Sequence, residues 1–75
     1  MAVIDASEIQ ALEAYMQTTF NNDRISLRER EKTKDSVEVL LNGEFIGVIY
    51  KDDEDEEVSY DFNMAILSID LPQKA

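Results

Sequence analysis

The sequence predicts an α+β fold, one N-terminal helix packed on a four-stranded antiparallel β-meander, and three observations carry that prediction. Ile9, Leu12, Met16 and Phe20 recur at helical spacing. After Phe20 the apolar rhythm shortens to two, the period of a strand with one buried face. Asn42-Gly43 then separates two apolar runs. That dipeptide is the strongest short-range hairpin signal, because a type I′ turn needs positive φ at both central residues.

The elements follow in order. Asp5 suits an N-cap, Glu8 answers it three residues on as a capping box, and Ile4 and Ile9 are spaced as a hydrophobic staple. Tyr15 and Thr19 flank the apolar stripe, whereas Glu8, Glu13 and Gln17 fall on the polar side. The helix is expected over about 6–20, ending at Asn21-Asn22-Asp23, whose side chains favour turns. Ile25 and Leu27 alternate with Arg24, Ser26, Arg28 and Arg30 in a first strand over about 24–31. A polar connection leads to Val37, Val39 and Leu41 in a second strand, 37–42, and the third follows over 44–51. The acidic run 52–57 forms a solvated turn before Val58, Tyr60, Phe62 and Met64 alternate in a fourth strand, about 58–71. Its parity slips after Met64: Ile66 keeps the old phase, whereas Leu67, Ile69 and Leu71 take a new one. A β-bulge near 65–67 produces such a slip, and so does a break into a fifth short strand. Pro72 ends either one.

Parity also sorts the sheet into faces. A two-residue turn pairs Leu41 with Glu44, Leu40 with Phe45, Val39 with Ile46 and Val37 with Val48, and paired residues share a face. One face then carries Val37, Val39, Leu41, Ile46, Val48 and Tyr50; the other carries Glu38, Leu40, Phe45, Gly47 and Ile49. One helix covers one face, and the first is the more apolar. Leu40, Phe45 and Ile49 are left as a candidate interaction surface. The segment 66–71 folded across it, or a second copy in a homodimer, would cover it. Otherwise these residues are half-exposed, as scattered apolar surface residues commonly are. A three-residue loop with a bulge at Gly43 would shift the pairing by one and move Phe45 inside.

Composition sets the bounds. At 75 residues the chain is expected to be a single domain, 1–75, with a small core. Its 44% hydrophobic content argues against wholesale disorder despite 32% charged residues. No apolar run approaches the roughly 20 residues of a membrane span, and the first residues lack the basic start of a secretory signal. With no cysteine there are no disulfides or thiolate metal sites, and a cytoplasmic location is expected. The net charge of −10 is lopsided: residues 1–34 carry −1 and residues 35–75 carry −9. Such a surface repels nucleic-acid phosphates and anionic lipid, so neither nucleic acid nor membrane is an expected partner.

Little here suggests catalysis. The chain has no histidine and no cysteine, which removes the commonest general base and the strongest nucleophile, so no enzyme activity and no cofactor are expected. The run Asp52-Asp53-Glu54-Asp55-Glu56-Glu57 is the most unusual local feature. Asp52, Asp53, Asp55 and Glu57 are weak candidates for a hard cation, but the run lacks the sharp-turn glycine of a calcium loop. A solvated hairpin turn that guards neighbouring apolar strands from aggregation is the plainer reading. Arg24, Arg28, Arg30, Lys32 and Lys34 share strand parity and form a candidate anion-binding stripe. Glu29 and Glu31 dilute it, and cations on an edge strand ordinarily serve as protection against edge-to-edge pairing.

The residues Asp35-Ser36-Val37-Glu38-Val39, Gly43-Glu44-Phe45-Ile46-Gly47-Val48, Asp52-Asp53-Glu54-Asp55 and Ser59-Tyr60-Asp61-Phe62-Asn63-Met64-Ala65-Ile66-Leu67 form a pattern. With it the chain resembles a family of small alphaproteobacterial proteins classed only as a domain of unknown function. The likeness runs from the helix to Leu71 and is most specific over 43–67. It implies a bacterial cytosolic protein and brings no activity with it. Where that family often carries a glycine before the last strand, Glu56 and Glu57 stand here. The expected role is an interaction or structural module, with a cation- or anion-responsive module using the acidic turn 52–57 or the basic strand 24–34 as the alternative.

Overall fold

In the computed structural model, which describes residues 3–54 and 56–72, the helix α1 spans Ala6–Thr19. Its start is the expected capping box: the Asp5 carboxylate accepts from the Glu8 N–H at 2.8 Å, and Glu8 accepts from the Asp5 N–H at 3.1 Å. These bonds satisfy donors that the first helical turn would otherwise leave unpaired. The helix stops where Asn21 turns left-handed at φ 50° and the Asn22 N–H closes back on the Gln17 carbonyl. Asparagine tolerates that conformation better than most residues.

Four strands follow: β1 (Ile25–Glu29), β2 (Ser36–Leu41), β3 (Glu44–Asp52) and β4 (Ser59–Asn63). They form one antiparallel sheet in the order β1-β2-β3-β4, the predicted meander. Asn42 and Gly43 take φ 55° and 80°, as a type I′ turn requires, and Leu41 pairs with Glu44 and Leu40 with Phe45. One residue further the expected register fails. Val39 pairs with Gly47 and Val37 with Ile49, so Ile46 is the extra residue of a β-bulge. The bulge reverses the parity of everything beyond it. Ile49 moves to the helix-facing side and becomes a core residue, 2% exposed, while Tyr50 moves to the other face. Leu40, Phe45 and Ile49 therefore do not form one exposed face.

Ile4, Met16, Ile25, Val37, Val39 and Ile49 are the buried core, with Ile9, Leu12, Leu27, Leu41 and Ile46 packed against it. Of the two residues spaced as a staple, Ile4 is buried in the core and Ile9 packs against that core. Phe20, expected in the stripe, caps the helix instead and stays exposed.

The fourth strand is shorter than the expected 58–71. It ends at Asn63, opposite Val48; residues 64–67 carry no ladder, and Ser68–Asp70 turn into a single 3₁₀ turn. The next partners on β3 would be Gly47 and Ile46, where that strand bulges, so β4 has no regular neighbour to continue against. The shift of apolar phase after Met64 marks that loss of pairing followed by the helical turn. Among the described residues no helix is long and apolar enough to cross a membrane.

Candidate interaction surface

The two edges of the sheet are finished differently. The Asn42 N–H donates to the Arg24 carbonyl, so the even-numbered residues of β1 exchange bonds with β2 and the odd-numbered ones turn their backbone groups outward. The helix reaches those outward groups. Gln17 Nε2 donates to the Ile25 carbonyl at 2.9 Å, and Glu13 accepts from the Leu27 N–H at 3.0 Å. Two residues on the polar side of α1 thereby engage two of the outward groups of β1, a role that periodicity alone does not reveal.

At the other edge nothing comparable occurs. The Lys51 N–H donates to the Asp35 carbonyl, which points the odd residues of β3 toward β2 and its even residues toward β4. The outward backbone groups of β4 are consequently those of Tyr60 and Phe62. Among the described residues no group outside the ladder bonds to them. Every residue of β4 is exposed, and the strand lacks the lysine, proline or bulge that ordinarily protects an edge.

Between α1 and β4 runs a groove of about 610 Å³. Leu12, Tyr15 and Phe20 line its helix side, Ile49 its floor, and Tyr60 and Phe62 its far wall. At one end Glu8 joins three elements. Its carboxylate lies 2.7 Å from Lys51 Nζ and accepts from the Tyr60 hydroxyl at 2.5 Å, while Lys51 also donates to the Val3 carbonyl. The Lys51 ammonium, followed by the Tyr60 hydroxyl, holds the Glu8 carboxyl below the usual carboxylate range. The same bond to Glu8 pushes the Tyr60 phenol up to about 12. The Glu8 N–H holds Asp5 low in the same way.

A family described as "Protein of unknown function (DUF3126)" matches residues 8–70, from Glu8 through the β4 edge to the 3₁₀ turn. The chain belongs to the DUF3126 family. No curated protein and no solved structure is matched by it.

In this DUF3126 chain the sequence-derived site residues scatter. Of the surface expected at Leu40, Phe45 and Ile49, only Phe45 is exposed, at 53%, while Leu40 is buried to 7%. Asp52 ends β3 and accepts from the Glu54 N–H; Asp53 and Glu57 are exposed, and Asp55 lies outside the described residues. Among the described residues no three carboxylates come together as a metal-binding group. Three of the five cations of the stripe are engaged locally: Arg28 donates twice to Glu38, Arg30 donates to Ser36 and Arg24 to Asn42.

Apolar residues that the sequence placed inside a long fourth strand lie on the surface. Val58, Tyr60, Phe62, Met64, Ile66, Leu67, Ile69 and Leu71 are all exposed. The missed signal is in β3, where an extra residue leaves the end of β4 without a partner.

Proposed function

We infer that the protein is a small cytoplasmic protein-interaction module without catalytic activity, docking another polypeptide along β4 and the segment after it. One observation carries this reading: eight large apolar side chains between Val58 and Leu71 are exposed on and beyond an open strand edge. So many exposed apolar side chains within one segment are costly in water and are characteristic of a surface that another chain covers. An edge strand adds unpaired N–H and C=O groups, the basis of strand-addition binding. The absence of histidine and cysteine supports the non-catalytic part, and the cysteine-free composition supports the cytoplasmic setting.

In-cell photo-cross-linking tests it. A photoreactive residue at Ile66 is expected to link the chain to a polypeptide, and one at Glu29 on the β1 edge is expected to give far less. Equal or absent linking from position 66 overturns the reading.

A further inference from the structure

We propose that the polypeptide docking on β4 is a second copy of this chain, paired antiparallel about a two-fold axis at Phe62. This rests on β4 being the docking edge, and it names the occupant. Symmetry makes the first argument. At the β1 edge Gln17 and Glu13 occupy the Ile25 carbonyl and the Leu27 N–H, whereas among the described residues β4 has no such partners; β4 is the more open edge of each copy, and pairing two β4 edges makes a closed dimer instead of a growing sheet.

Register makes the second. With the axis perpendicular to the sheet, a residue faces only residues of its own parity. With Phe62 at the axis, Tyr60 faces Met64 and Val58 faces Ile66, so the five exposed apolar residues of even number from 58 to 66 meet apolar partners. Tyr60 and Phe62, which carry the outward backbone groups of β4, lie beside and on the axis in this register, so the ladder continues from one copy into the other. Met64 of the second copy then stands beside Tyr60, on the open side of the helix–β4 groove.

Charge makes the third argument. With Phe62 at the axis, Asp61 faces Asn63, which can donate to it. Centring the axis on Asp61 instead would set two carboxylates opposite each other, a destabilising pair. Centring it on Asn63 would face Val58 with Ser68, inside the 3₁₀ turn. The antiparallel arrangement also sets the two Glu57 residues about 33 Å apart, several Debye lengths at physiological salt. At roughly 100 Å² apiece, the five residues expose about 500 Å² per copy, below the ~800 Å² of a standard interface and in the range of a weak, reversible dimer.

Sedimentation velocity over 1–300 µM, combined with single spin labels, tests the proposal. The chain has no cysteine, so a label at Ser59→Cys is unique. The expected result is a dimer with a label-to-label distance of about 20 Å, six strand residues. Asn63 is exposed, and its variants should fold as wild type. Asn63→Asp is expected to weaken dimerisation about tenfold by opposing Asp61 across the axis, and Asn63→Lys to tighten it by a similar factor. A monomer at 300 µM overturns the proposal, as does a dimer indifferent to the charge at position 63 or a label distance well beyond 30 Å. If the isolated chain is monomeric yet position 66 still cross-links a different protein in cells, self-pairing fails while the interaction reading stands.

Discussion

Truncating Ile49 and Phe45 tests the bulge one residue at a time. Ile49 is buried in the core, so Ile49→Ala removes atoms that nothing refills and should cost about 2–5 kcal/mol. Phe45→Ala, on an exposed ring, should cost under about 1 kcal/mol. In a domain this size each kcal/mol is worth about 4–8 °C of melting temperature, so thermal unfolding separates the two variants cleanly. Equal losses, or a larger loss at Phe45, would restore the register without a bulge.

Asp5, Glu8 and Tyr60 are expected to make stability depend on pH at both ends of the range. Glu8 and Asp5 titrate lower folded than unfolded, so their contribution is present above about pH 4.5 and is lost as the pH falls and the folded carboxylates protonate. Tyr60 titrates higher when folded, near 12, so its contribution is complete below pH 10 and fades as the pH climbs toward 12. Urea midpoints measured from pH 3 to 11.5 should show a plateau with losses at both ends. Tyr60→Phe should flatten the alkaline fall; an unchanged alkaline limb would count against the bond to Glu8.

At the scale of elements, two contacts decide how the sheet is finished. A Cβ at Gly47 would sit 2.5 Å from the Asn63 carbonyl oxygen and 2.6 Å from Phe62 Cε1. The first of those is backbone, which cannot swing aside. Gly47→Ala should therefore cost about 1–3 kcal/mol and accelerate amide exchange in Ser59–Asn63 ahead of β1 and β2. Uniform acceleration would mean that β4 is not the element displaced. At the opposite edge, Glu13→Ala leaves the Leu27 N–H without its acceptor in a half-buried position, a loss of about 1 kcal/mol. Glu13→Gln keeps a carbonyl oxygen there and should be close to wild type. If both variants lose the same stability, the carboxylate's charge matters and the edge cap does not.

Charge and shape govern the whole molecule. The radius of gyration, 13.9 Å, exceeds the ~11 Å of a compact chain of this length, in keeping with a long axis of 49 Å. The net charge of −10 opposes compaction, while Arg28–Glu38 and Lys51–Glu8 are the ion pairs formed among the described residues. Partly exposed pairs are worth about 0–1 kcal/mol each, so the general repulsion outweighs what salt takes from them. Raising salt from 10 to 150 mM shortens the screening length from about 30 to 8 Å and should raise the melting temperature by a few degrees. A fall would show that the ion pairs dominate.

Local chemistry determined much of this protein without help from the fold. The Asp5–Glu8 box, the Asn21 stop and the Asn42-Gly43 turn each join groups within a few residues of one another, so their signals are contiguous in the chain. Helical and strand periods then place Met16, Ile25, Val37 and Val39 in the core, because each element must bury its apolar side. The candidate surface was not legible in the same way. Whether Ile46 is accommodated as a bulge depends on how β2 and β3 fit beneath the helix, and periodicity is blind to one inserted residue. Where Glu13 and Gln17 point depends on the helix lying against β1. Only the tertiary structure decided those two matters, and together they bury Ile49, engage part of one edge and leave β4 open, because parity and edge satisfaction are properties of neighbours that the chain brings together from a distance.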